Sequence, residues 1–118
     1  MSKPAASAPF VIDAETIDIE FAGELWHWRG PAPYHFITVP EEACVGLRAV
    51  SAVVSYGWGM IPVRVRIGDS EWDTSLFPKE GGYVVPIKDA IRNAEGLADG
   101  DIVAVRAGDP LMTDWPRP

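Results

Sequence analysis

Cysteine is nearly absent from this chain: Cys44 is the single thiol among 118 residues. No internal disulfide can form, and no cysteine-rich zinc site can be built. Histidine is almost as scarce. His27 and His35 are the only two, and with Cys44 they match neither a finger spacing nor H-E-x-x-H, so no metal or other cofactor is expected. Long apolar runs are missing as well. None approaches the roughly 20 residues of a membrane span, and the opening MSKPAASAP lacks the apolar core of a signal peptide. The expectation is a cytoplasmic protein without a membrane partner.

A positive surplus is also lacking. The net charge is -7, a field that repels phosphate backbones, so no nucleic-acid partner is expected. Residues 61 to 92 balance five basic side chains against five acidic ones, and the flanks carry the negative excess. No G-x-S-x-G elbow, Walker sequence or Cys-His signature occurs, and GWGMIP is not a dinucleotide fingerprint. Gly57 and Gly59 around Trp58 mark a bulge or a tight strand approach instead.

What is present is ordinary globular composition, 47% apolar and 23% charged, with eleven glycines and eleven prolines between short apolar runs. That punctuation suits a β-rich single domain with many turns. TIDIEF alternates Ile17, Ile19 and Phe21 with Asp18 and Glu20, the pattern of a half-buried strand. ELWHW and YHFITV follow as extended stretches. EEACVGLRAV reads as a short helix whose first turn suits Pro40, Glu41 and Glu42, and SAVVSYGWG as the returning chain. IPVRVRIG sets Ile61, Val63, Val65 and Ile67 on one face and Arg64 and Arg66 on the other. Gly68-Asp69-Ser70 turns it into EWDTSLF. After the loop PKEGGY come the strand YVVPI, the helix KDAIRNAE with Gly96 as its terminator, and the strand IVAVR. About six strands and two short helices result, with tails at residues 1–12 and 109–118 around one domain at 13–108; Trp115 is placed to fold back onto the body.

A shift of about 46 residues sets Ile17, Ile19 and Phe21 over Val63, Val65 and Ile67, Trp26 over Trp72, and Val39-Pro40 over Val85-Pro86, suggesting an internal duplication. Asp18 and Glu20 then fall over Arg64 and Arg66, where opposite charges would pair across a sheet.

LWHWRG, HFITVP, GWGMIPVRVRIG, WDTSLFPKEGGYVVPIKDAIRNAEGL and GDIVAVR, in that order, resemble an uncharacterised bacterial family, domain of unknown function nineteen-oh-five, over roughly residues 15–108. The resemblance implies a mainly β fold: a six-stranded, pseudo-two-fold double-split β-barrel capped by two short helices, similar to the AbrB/MazE barrels. In those, two chains build one barrel; here one chain holds both halves, so a monomer is expected. Some relatives carry a further domain like the YdeI/OmpD-associated proteins, for which this chain has no room. The resemblance brings no activity to particular residues.

Lys88 stands where the second helix begins, and Arg92 repeats its charge one turn later. Helix starts favour anions, and like charges four residues apart repel. One reading is an anion pocket: Lys88, Arg92, Lys79 and Ser75, with Thr74 adding a hydroxyl, the PKEGGY glycines an N–H nest, Arg64 or Arg66 the rim, and Trp72 or Trp58 a flat wall. The competing reading pairs Lys88 and Arg92 with Asp89, Glu95, Asp99 or Asp101. The expected function is a non-catalytic module binding a small anionic ligand or an acidic protein segment. A small enzyme with its site in the barrel mouth and an AbrB-like DNA binder are the alternatives, the latter opposed by the charge.

Overall fold

A computed structural model describes residues 17–31, 34–54, 59–111, 113 and 115; side chains are described as far as Arg48 in the first helix and again from Gly59. The elements are β1 (Asp18–Trp28), β2 (Tyr34–Thr38), α1 (Glu41–Val54), β3 (Ile61–Ile67), β4 (Ser70–Lys79), β5 (Gly82–Ile87), α2 (Asp89–Glu95) and β6 (Ile102–Gly108). The strands close into an antiparallel barrel in the order β1-β2-β5-β4-β3-β6. The expected six-stranded barrel with two helices is the observed fold.

Two strands are shared between two sheets. β1 pairs with β6 from Asp18 to Glu24 and with β2 from Leu25 to Trp28. β4 pairs with β3 from Ser70 to Leu76 and with β5 from Phe77 to Lys79. TIDIEF and ELWHW are therefore one strand that changes partners. Gly23 sits just before the change, and a side chain there would run into the Thr38 carbonyl and come within 2.9 Å of Ile37 Cγ2.

Period-two alternation delivers the core. Leu25, Ile37, Ile61, Val63, Val65, Leu76, Val85 and Ile87 are fully buried inside the ring, beside Val103, Val105 and Ala107 from β6. β2 and β5 are antiparallel neighbours, so the helices that follow them cover opposite ends of the barrel. α1 inserts Cys44 and Leu47 at one end. Arg48 fastens it there, donating to the Gly81 carbonyl and bidentately to Glu41, whose carboxyl it holds below its ordinary pKa. α2 lays Ile91 over the other end, followed by Leu97. It ends at Gly96, whose φ of 65° is left-handed and whose N–H joins that of Leu97 on the Arg92 carbonyl.

Three expectations are corrected. The first helix does not stop at Val50: SAVV is its last turn, because one more helical turn keeps backbone groups paired in a segment without Gly or Pro. PKEGGY is not an open loop. Glu80 and Gly81, with φ of 52° and 84°, make a two-residue hairpin turn of the type I′ kind, leaving Lys79 in β4 and Gly82 in β5. The duplication has another register. The ring maps onto itself when β1 exchanges with β4, β2 with β5 and β3 with β6, a strand-strand-helix-strand unit used twice. The first strand therefore corresponds to β4, and its alternation matched β3 only because half-buried strands look alike.

Gly23→Ala is expected to lower the unfolding free energy by about 2 kcal/mol in urea titration, the scale of overpacking against fixed backbone. Ala22→Ser, one residue away on the exposed face, is expected to stay within about 0.5 kcal/mol of wild type.

Candidate functional site

Because β1 and β4 pass through both sheets, the barrel has two outer faces of different chemistry. Over β1, β6, β3 and β4 the outward positions carry charge. Glu20 stands opposite Arg106, Arg106 opposite Arg66, and Arg66 opposite Glu71, so two central arginines are flanked by acids. Arg106 makes a bidentate pair with Asp18, both bonds 3.0 Å, and lies 3.8 Å from Glu20. Arg64 binds Asp73 at 2.8 Å and Arg66 approaches Glu71 at 3.5 Å. Hydrogen bonding to Asp18 and to Asp73 raises the pKa of Arg106 and of Arg64. Trp115 folds back over this face, 4.7 Å from the Arg106 guanidinium and 5.3 Å from that of Arg66. The expected pairing of Asp18 and Glu20 with Arg64 and Arg66 is thus replaced, since β6 lies between β1 and β3 and supplies Arg106 instead.

Over β1, β2 and β4 the outward positions carry aromatic rings, with Val84 and Pro86 of β5 between them. Trp26 faces Phe36 and Trp28 faces Tyr34 across β1 and β2, with ring centroids of Trp26 and Phe36 5.3 Å apart and those of Tyr34 and Phe36 5.7 Å apart. Phe77 continues the row on β4, opposite Val84. Trp28, Tyr34 and Phe77 are about 40% exposed (43, 38 and 40%). Large apolar side chains grouped on a solvent face mark binding surfaces. Burial, and then the Asp89 charge, raises the Tyr34 phenol above its ordinary pKa, keeping it a hydrogen-bond donor.

A cleft of about 310 Å³ opens in this face, lined by Trp26, Trp28, Phe36, Phe77, Pro78, Lys79 and Val84. Trp26 is fixed by its Nε1–H donating to Thr38 Oγ1 at 2.9 Å. Among the described residues, Lys79 is the one ionisable residue in the lining. Its Nζ lies 5.3 Å from the Trp28 ring centroid and 5.7 Å from that of Trp26, and its carboxylate neighbour Glu80 is 3.8 Å away. An ammonium over two indole faces is attracted by their quadrupoles. A second hollow of about 570 Å³ adjoins it, sharing Trp26, Lys79 and Val84 and reaching Glu41 and Tyr83.

The residues proposed for an anion pocket are not gathered into one. Lys88 is the exposed N-cap of α2 without a side-chain cap bond, and Arg92 turns back to Asp89 at 3.1 Å. Lys79 lies instead in the aromatic cleft. Arg64 and Arg66 belong to the charged face. Thr74 and Trp72 share the inner face of β4 with Leu76, opposite Val63 and Val65, and Trp72 packs on the core; Ser75 points outward opposite Pro62. Trp58 lies outside the described residues. Sequence reasoning missed Phe77, which alternation marks as outward only once Leu76 is known to be core.

A family model described as Domain of unknown function (DUF1905) matches residues 21–106, well over half of the chain and wholly within the barrel. No curated protein matches the chain. Among the described residues, no helix is long and apolar enough to cross a membrane.

In a double-mutant cycle of Lys79→Met and Trp28→Ala, read by thermal or urea unfolding, the coupling is expected to be about 0.5–1 kcal/mol and favourable. A coupling indistinguishable from zero would mean that the ammonium is not held over the ring.

Proposed function

Since the chain belongs to the DUF1905 family, whose description leaves the function open, we propose from the geometry that it is a non-catalytic module binding a small organic anion in the aromatic cleft. The flat or apolar body of the ligand stacks on Trp28 and Phe77, and its carboxylate or phosphate meets Lys79. The observation that carries this reading is a single ammonium set over two tryptophan faces in a cleft otherwise lined by apolar side chains. Such a site has the usual make-up of a small-molecule pocket, largely apolar with few placed polar groups. Duplex DNA is disfavoured by the charge of -7 and by the local acids that already hold Arg64, Arg66 and Arg106.

The test is calorimetric titration with aryl carboxylates such as indole-3-acetate, their neutral amides, and inorganic phosphate. The carboxylate is expected to bind about tenfold more tightly than its amide, the worth of one charge-assisted contact, and inorganic phosphate not to register. Lys79→Met should erase the preference for the acid, while Trp28→Ala should weaken acid and amide alike. Equal affinity of wild type for acid and amide, or binding of phosphate alone, would rule the reading out.

A further inference from the structure

On the inner side of the same ribbon, His27 and His35 are directly opposed across β1 and β2. Their rings stack, 4.4 Å between centroids and 3° between planes. His35 is the buried polar side chain of the described core, 9% exposed. Its Nε2 lies 2.9 Å from Asp99 Oδ1, and one ring nitrogen of each histidine and an oxygen of Asp99 all lie within 4.8 Å of one another.

Asp99 is carried there by a built turn. Ahead of it Ala98 N–H donates to Asp101 Oδ2. Beyond it Gly100 N–H donates to the Leu25 carbonyl at 2.7 Å, and the Asp101 carbonyl accepts from Leu25 N–H at 2.9 Å. Both backbone groups of Leu25, the residue two before His27, are therefore tied to this turn. Gly100, with φ of 92°, allows the reversal. The sequence separates Asp99 from His35 by more than sixty positions, yet the backbone fixes it beside the pair.

We infer that His27, His35 and Asp99 form a binding site for a divalent first-row transition ion of the zinc class. Two imidazoles and one carboxylate are the ligand set that suits such ions, and three protein ligands leave further positions for water. Thiolate-seeking ions are not served, because Cys44 lies at the opposite end of the barrel, its Sγ donating to the Val39 carbonyl. Magnesium and calcium are disfavoured by a nitrogen majority. A tetrahedral ion with bonds of about 2.0–2.1 Å holds its ligands about 3.4 Å apart, so atoms now within 4.8 Å must close by up to about 1.4 Å, the 2.9 Å His35–Asp99 contact must open slightly, and the stacked rings must part. Burial fixes His35, so His27, half-buried on the last turn of β1, supplies the movement by swinging its ring until its lone pair meets that of His35. Asp99, 47% exposed, gives up its hydrogen bond to His35 for the ion. Arg29, 3.9 Å from the other Asp99 oxygen, sits outside the set and opposes the cation.

The experiment is titration of untagged, chelator-treated protein with Zn(II) by calorimetry and with Co(II) by visible absorption, with Mg(II) as the control. One Zn(II) per chain is expected, with a Co(II) band of tetrahedral intensity and no response to Mg(II). His27→Gln and Asp99→Asn, both at accessible positions and checked for folding by circular dichroism, should each weaken binding by more than about 100-fold, beyond the roughly 10–100-fold that loss of an outer partner costs. Arg29→Gln should tighten it. No saturable binding by wild type, or binding undiminished in both ligand variants, would overturn the site; the second outcome would assign the ion to adventitious surface groups.

Discussion

The close approach of β1 to β2 at Gly23 is the constraint on which the rest of the barrel depends. β1 has to leave β6 after Glu24 and take up β2 from Leu25. That exchange brings its backbone against the Thr38 carbonyl, where only a residue without Cβ fits. β4 makes the corresponding exchange between Leu76 and Phe77. Were both strands to stay with one partner each, the ring would open into two small sheets with four unpaired edges, each a template for aggregation. Closure through shared strands joins the two sheets and lets one chain of modest length bury a continuous core.

The same exchange separates the two outer faces. Along β1 the outward side chains are Asp18 and Glu20 before the crossing and Trp26 and Trp28 after it, so a single alternating strand contributes acid to one sheet and indole to the other. The charged face is satisfied from within. Its arginines sit beside acids in register, and Trp115 lies over two of them. The aromatic face has no such cover among the described residues, and its cation points into a cleft rather than into a bidentate pair.

Much of the fold was legible because strand alternation and turn chemistry are local. The set Ile61, Val63, Val65 and Ile67, the Gly68-Asp69 turn and the Gly96 terminator each depend on a few neighbouring residues, and the structure has them as read. The last turn of α1 was missed because Val53 and Val54, being β-branched, lower the local helix propensity. Register of pairing was not legible. Arg64 and Arg66 plainly wanted acids, but which acids depends on β6 arriving between β1 and β3, a fact of topology. The candidate site failed to be read for the same reason. Lys79 was singled out, yet its neighbours Trp26 and Trp28 lie some fifty positions away on a strand that only the closed ring brings alongside.

The ribbon formed by Trp26-His27-Trp28 against Tyr34-His35-Phe36 shows how much a single register can decide. Three successive cross-strand pairs are Trp26 with Phe36, His27 with His35 and Trp28 with Tyr34. The pleat sends the first and third pairs outward to the cleft and the second inward to Asp99. A slip of one residue would bury two tryptophans where the barrel end has no room and expose the histidine pair to solvent, so the core specifies the register strongly. The aromatic face and the histidine pair are consequently one feature of the sequence, read from the two sides of one sheet. Whatever holds Leu25 and Ile37 in the core on one side of these pairs, with Ile87 opposite His35, holds both sites in place as well.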